Sequence, residues 1–183
     1  MKEVNGKLEL IIGNMFSGKT TELIRRINKE KSINKNILVI NYIDDNRYNE
    51  SGIVSHDNIK INCIKVKKLE DILDLNKYDS FFIDEAQFFI DLHSFVLLLV
   101  DIYKKHVVVS GLDGDAFRNP FGDIIKLIPL CDTVDKLTAY CNKCNNGVIA
   151  PFTKKINNEI QLLIDIGGSD KYIPVCRYHY FNL

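Results

Sequence analysis

Short apolar runs alternate with amphipathic stretches along the first three quarters of this chain. Leu8 to Ile12 is a short run, apolar save for Glu9, closed by Gly13, a pattern that predicts a buried strand. From Gly18 the period changes. Leu23, Ile24 and Ile27 recur at helical spacing among Arg25, Arg26, Lys29 and Lys31, which predicts an amphipathic helix to about Ser32. Ile37 to Ile40 reads as a second buried strand. The polar, irregular stretch from Asn41 to Asn58 is too long for a simple connector, and such loops often carry function. Ile59 to Val66 alternates with period two, Leu69 to Leu75 predicts a short helix, and Phe81 to Ile83 predicts a third buried strand running into Asp84-Glu85. Asp91 to Lys105 has the apolar pattern of a longer helix. Val107 to Val109, closed by Ser110-Gly111, completes a fourth strand. Strands alternating with helices predict an α/β fold built on a parallel sheet with right-handed crossovers.

The last 45 or so residues break that rhythm. Two cysteine-containing corners flank a segment rich in β-branched residues, Thr153 to Ile166, interrupted by Asn157-Asn158 and Gly167-Gly168. This predicts a small β-rich lobe after the α/β core. The boundary is placed near Thr138, dividing residues 1–138 from residues 139–183.

Composition narrows the class. The chain has 183 residues, of which 46% are hydrophobic and 26% charged, enough to bury a core and against disorder. Lys plus Arg (24) equals Asp plus Glu (24), so no global positive field invites nucleic acid or an anionic membrane. The longest unbroken apolar run, Phe95 to Val100, is far short of the roughly 20 residues that span a bilayer. The opening residues lack the pattern of a signal peptide. A cytosolic or otherwise reducing compartment is therefore expected, and there five cysteines read as thiols or metal ligands rather than disulfides.

Three motifs carry chemistry. Gly13-Asn14-Met15-Phe16-Ser17-Gly18-Lys19-Thr20 fits the phosphate-loop pattern, with a predicted strand before it and a helix after it. Its glycines let backbone N–H groups turn inward around a phosphate, and the helix N-terminus adds partial positive charge. Lys19 then reaches the β- and γ-phosphates, and the Thr20 hydroxyl suits Mg²⁺. The alternative, a glycine turn that merely precedes a lysine, does not explain the strand and helix on either side. The second motif is Asp84-Glu85 at the end of a buried strand, where a Mg²⁺-coordinating carboxylate belongs and where Glu85 can act as general base. Alone, such a pair is common and often structural. Beside a phosphate loop it becomes a catalytic candidate.

The third motif pairs Cys141-x-x-Cys144 with Cys176-x-x-His179, with 31 residues between the two corners. One Cys-x-x-Cys also fits a redox pair. The second corner favours a tetrahedral Zn²⁺ site with no open position, hence a structural one. Cys63 and Cys131 lack partners in the sequence and are expected to be buried apolar thiols. Asp45-x-Arg47 offers an arginine that can touch a transferring phosphoryl group. His56-Asp57 reads equally well as a solvated loop pair. From these residues alone three functions stand: a nucleotide-dependent phosphotransferase, a nucleic-acid-dependent ATPase whose zinc ribbon grips DNA, and a nucleotide sensor without turnover.

The combination resembles the type II thymidine kinase family. Residues 13–20, Asp-Asn-Arg-Tyr at 45–48, Asp-Glu-Ala-Gln-Phe-Phe at 84–89 and the glycine-rich segment 111–122 follow that family's order. So do Lys-Leu-Thr-Ala-Tyr-Cys at 136–141, Gly-Gly-Ser-Asp-Lys-Tyr at 167–172 and Cys-Arg-Tyr-His at 176–179. The resemblance implies a RecA-type, P-loop NTPase-like kinase core and a zinc-binding lobe with a lasso-type substrate loop. It also implies transfer of the γ-phosphate of ATP to the 5′-hydroxyl of thymidine, with Glu85 as base. Asp45, Asn46, Arg47, Asp84 and Gln87 would lie on the ATP side. Leu163, Ile164, Asp165, Ile166 and Gly167 would present backbone to the base, with Tyr172 on the sugar side and Thr153 nearby. A stacking ring is expected from the glycine-rich segment: one register selects Ala116 and the next Phe117, and the need for a ring favours Phe117. A homotetramer is implied, with neither nucleic acid nor membrane as partner.

Overall fold

Leu8, Leu10, Ile11 and Ile12 are buried on both faces of their strand because it lies inside a parallel sheet, between two other strands. The computed structural model describes residues 5–44, 53–54, 60–156 and 170–183. In chain order the elements are β1 (Lys7–Gly13), α1 (Lys19–Lys31), β2 (Ile37–Tyr42), β3 (Ile53–Val54), β4 (Lys60–Ile61), β5 (Ile64–Val66) and β6 (Ser80–Ile83). There follow α2 (Leu92–Leu97), β7 (His106–Leu112), β8 (Thr133–Leu137), β9 (Ala139–Tyr140), β10 (Ile149–Ala150), β11 (Phe152–Lys155), β12 (Tyr172–Val175) and α3 (Arg177–Phe181). Six of the strands form one sheet in the order β5-β2-β6-β7-β1-β8, every neighbouring pair parallel.

Alternation along the central strands divides the core. Leu8, Leu10, Ile40, Phe81, Ile83, Val107 and Val109 face one side and pack with Leu92, Phe95, Val96 and Leu99. Ile11, Val39, Phe82 and Val108 face the other and meet Leu23, Ile24 and Ile27 of α1. Phe81 and Phe82, on opposite faces, are both fully buried, and burying such a side chain contributes roughly 1.5–3 kcal/mol. Helix α1 is further tied down by charge. Glu22 accepts from Arg25 and Arg26, and Arg26 also reaches Glu9 on β1 and Asp135 on β8. These hydrogen bonds hold the Glu22 carboxyl at about 2 despite the opposing effect of burial.

Several expectations need correction. Leu69 to Leu75 is not one helix but two 3₁₀ turns, Leu69–Asp71 and Leu75–Lys77, separated at Asp74, whose φ of 57° is left-handed. The helix expected over Asp91 to Lys105 begins as α2 and widens into a π turn, Leu98–Ile102, closed by the Tyr103 N–H on the Leu98 carbonyl at 3.0 Å. That register keeps Leu99 and Val100 buried while Leu98 and Ile102 stay exposed. Cys63 and Cys131 are half-buried at the margins of the two core clusters rather than fully enclosed. Strand β8 and the 3₁₀ segment Ile124–Leu130 were not foreseen.

Beyond β8 the chain makes two small antiparallel pairs, β9 with β10 and β11 with β12, and the five-residue helix α3. Their shared core is Ala139, Cys141, Ala150, Val175 and Cys176, with Phe16, Phe152 and Tyr180 packed against it. Among the described residues no helix is long and apolar enough to cross a membrane.

Candidate active site and metal centre

The loop between β1 and α1 is folded on itself in a way only its residue types permit. Gly18, the residue before α1, has φ 83°, a left-handed conformation that glycine adopts without the penalty a Cβ would bring. The Asn14 carbonyl accepts from the Ser17 hydroxyl and the Lys19 ammonium, each at 2.8 Å. Lys19 is thereby held, largely buried, at the N-terminus of α1, where unpaired N–H groups and the helix dipole favour an anion.

Asp84 stands at the end of β6, two strands away from β1, with β7 between them. It is 3% exposed and accepts from the Ser110 hydroxyl at 2.8 Å, the Thr20 hydroxyl at 3.0 Å and the Glu85 N–H at 3.1 Å. Burial first, and the neighbouring Glu85 charge second, push its carboxyl up to about 6; the Ser110 hydrogen bond opposes them. Glu85 itself has φ 51° and ψ 39°, a left-handed backbone that costs a non-glycine residue about 1–2 kcal/mol. This turn ends the strand and leaves Glu85 buried beside Asp84. The Gln87 side chain then spans the gap to the next strand: its Nε2 donates to Glu85 Oε2 at 2.6 Å, and its Oε1 accepts the Leu112 N–H at 2.9 Å. The whole brings the glycine-flanked loop 13–20, the Thr20–Asp84 oxygen pair and a second carboxylate, Glu85, together. The donors Thr20 and Asp84, already within hydrogen-bond distance of each other, are the oxygen type that suits Mg²⁺.

A second centre lies in the small lobe. The ligand atoms of Cys141, Cys144, Cys176 and His179 all fall within 4.8 Å of one another. His179 Nδ1 is 3.5, 3.3 and 3.4 Å from the sulfurs of Cys141, Cys144 and Cys176, and the Cys144 and Cys176 sulfurs are 3.8 Å apart. A tetrahedral zinc with Zn–S near 2.3 Å and Zn–N near 2.0–2.1 Å requires S···S of about 3.8 Å and S···N of about 3.6 Å. The four residues fit that ion. Burial raises the Cys141 thiol, but backbone N–H groups led by that of Cys176, 3.3 Å from its sulfur, outweigh burial and bring it down to about 6. Cys144 is pushed the other way, to about 11, by burial and the neighbouring sulfurs.

The sequence model of thymidine kinase matches residues 6–180. The chain belongs to the thymidine kinase family. A thymidine kinase of Choristoneura fumiferana entomopoxvirus is 46% identical over 181 residues, covering 94% of this chain and 95% of the relative. One of rice, Oryza sativa subsp. japonica, is 42% identical over 184 residues, covering 97% of this chain and 67% of the relative. That of vaccinia virus strain Western Reserve is 41% identical over 178 residues, covering 97% and 98%.

In this family member the structure brings residues 13–20, Asp84, Glu85 and Gln87 together, and it also assembles the Cys₃His cluster. Asp45, Asn46 and Arg47 lie outside the described residues, as do His56, Asp57 and Leu163 to Gly167. Phe117 is 48% exposed in the glycine-rich loop, and Tyr172 is half-buried on β12. Thr153 is buried against the phosphate loop and accepts the Met15 N–H at 3.0 Å. Sequence reasoning missed Ser110, whose bond to Asp84 becomes visible only when β7 pairs beside β6. It also missed an aromatic wall beside Gln87. The Phe88 and Phe121 rings meet edge to face at 5.5 Å, and Tyr42 lies 5.3 Å from Phe88. The only signal in the sequence was that Phe88 and Phe121 fall inside motifs already singled out for other residues.

Proposed function

We propose that this chain transfers the γ-phosphoryl group of ATP to the 5′-hydroxyl of thymidine on a RecA-type phosphate-loop core. Backbone N–H groups of residues 13–18 other than that of Met15, which Thr153 holds, bind the β- and γ-phosphates together with the Lys19 ammonium, and they offset the charge that spreads over the equatorial oxygens during transfer. Thr20 and Asp84 would hold Mg²⁺, which when bound neutralises phosphate charge. Glu85 accepts the proton of the 5′-hydroxyl as its oxygen attacks, and Gln87 keeps the carboxylate in position. Asp45, Asn46 and Arg47 complete the ATP side. The base lies along the backbone of Leu163, Ile164, Asp165, Ile166 and Gly167, with Phe117 as stacking ring and Tyr172 at the sugar. The Phe88–Phe121 wall excludes water from that side of the cleft. The zinc held by Cys141, Cys144, Cys176 and His179 is structural. Action in the cytosol as a homotetramer belongs to the same reading.

The observation that supports this reading best is the juxtaposition of two carboxylates with different tasks. Asp84 is bonded to the phosphate-loop Thr20, and Glu85 beside it is held by an amide instead. An assay of ADP release tests it: release should require thymidine and be indifferent to single- or double-stranded DNA. Release stimulated by DNA and not by thymidine would overturn it.

A further inference from the structure

The glycine-rich loop is fastened at three places. At its start the Leu112 N–H donates to Gln87. At its end Gly122, with φ 60°, lies so close to the Gln87 backbone that a Cβ there would stand 2.2 Å from the Gln87 carbonyl oxygen. Both roots of the loop therefore rest on the residue that holds Glu85. Its tip is a tight turn closed by Asp115, whose carboxylate accepts the N–H groups of Phe117 and Asn119 at 2.8 Å each.

The third fastening comes from the metal-binding lobe. The Tyr180 hydroxyl donates to the Ala116 carbonyl at 2.8 Å. The Arg118 guanidinium lies 4.6 Å from the Tyr180 ring centroid, 4.7 Å from that of Phe181 and 5.6 Å from that of Phe152. Such stacking is favourable, and more so where the cation is partly desolvated. It accompanies an Arg118 backbone at φ 68°, a conformation a non-glycine residue does not prefer. Tyr180 and Phe181 belong to α3, which is only five residues long and far too short to persist alone. The same helix carries His179 and is entered from Cys176, and the Tyr180 N–H donates to the Cys176 carbonyl at 2.9 Å. Lys154 adds a bond to the Tyr180 carbonyl at 2.8 Å.

We propose that Tyr180 and Arg118 are positioning residues that latch the tip of the glycine-rich loop to the metal-clamped helix. The lobe thereby sets the geometry of the acceptor side of the cleft through Gln87 and Phe121. The link to thymidine rests on the kinase reading above; the latch itself does not.

The test uses the full zinc-loaded chain and two variants. Tyr180→Phe removes only a hydroxyl and keeps the ring, and Arg118→Ala removes the stack. Both should retain zinc. Amide hydrogen exchange at residues 115–119 should accelerate in each. The thymidine KM should rise by about five-fold or more, the effect of losing roughly one hydrogen bond, while the ATP KM stays within about two-fold. Unchanged exchange in both variants overturns the latch. So does an equal rise of both KM values together with loss of zinc, which would mark a merely structural role. If the wild-type chain shows no thymidine-dependent ADP release, the kinase reading fails, and the exchange measurement alone decides the latch in the same two directions.

Discussion

The Thr20 hydroxyl donates to Oδ2 of Asp84 at 3.0 Å, joining residues 64 positions apart across the mouth of the phosphate loop. On the proposed reading these two oxygens would hold Mg²⁺. The Asp84 carboxyl is moved from 3.8 to about 6, chiefly by burial and then by the Glu85 charge, in spite of its three hydrogen bonds.

A pH dependence follows. In the unfolded chain Asp84 returns toward 3.8, so without Mg²⁺ the folded state binds the extra proton between about 4 and 6. The stabilising contribution is present below about pH 4 and is lost as pH rises through about 6. Urea denaturation of wild type and Asp84→Asn without Mg²⁺ should differ in pH slope across that interval, zinc loss in acid cancelling in the difference. Parallel slopes would contradict the assignment. The Mg²⁺ affinity of the wild type should fall as pH drops below about 6, where protons compete for the carboxylate.

Gln87 holds Glu85 from one side and the Leu112 N–H from the other. Replacing it by Ala should lower kcat by about ten-fold or more with little change in ATP KM, because the base loses its orientation. Gln87→Glu removes the amide donor and sets a second negative charge against Glu85. Its kcat should fall at least as far as that of Gln87→Ala, whereas a kcat close to wild type would argue against Gln87 as the residue that positions Glu85.

Glu85→Gln preserves shape and hydrogen bonding but cannot accept a proton. Its kcat should fall by about 10²–10⁴, while equilibrium binding of ATP, measured calorimetrically, stays near wild type. A kcat close to wild type would remove Glu85 from the proton transfer.

The Cys₃His cluster should carry about one Zn²⁺ per chain by elemental analysis. Cys144→Ala should bind the metal far more weakly and lose it to a chelator first, because a water must then take the place of a thiolate at the fourth position. Under chelation, amides of residues 139–155 and 172–181 should exchange before those of β1, β6 and β7, since binding energy at such sites is folding energy. Simultaneous exchange of sheet and lobe would contradict this order.

The central strands, α1 and the two metal corners were legible in the sequence because each leaves a local mark. Consecutive apolar residues mark β1, β6 and β7, helical spacing marks α1, and cysteine spacing marks the metal site. Strand β8 left no such mark. Thr133 to Asp135 are exposed at the sheet margin, and their place is set by backbone pairing with β1 rather than by side-chain burial. The π turn after α2 was hidden because its apolar residues still read as one helix, and only packing decides where the register widens. The strand–loop–helix setting of residues 13–20 was legible in the sequence. The hold of Ser110 on Asp84 was not, because it depends on which strands are neighbours. Gln87 could be placed in a motif from sequence, but its grip on Glu85 required the left-handed backbone at position 85.

The most direct measurement follows the phosphoryl group itself. ATP labelled with ¹⁸O in its γ-phosphate, incubated with the chain, Mg²⁺ and thymidine, should deliver the label to thymidine 5′-monophosphate in equal amount to the ADP formed. Label recovered as inorganic phosphate, with thymidine unmodified, would contradict the account.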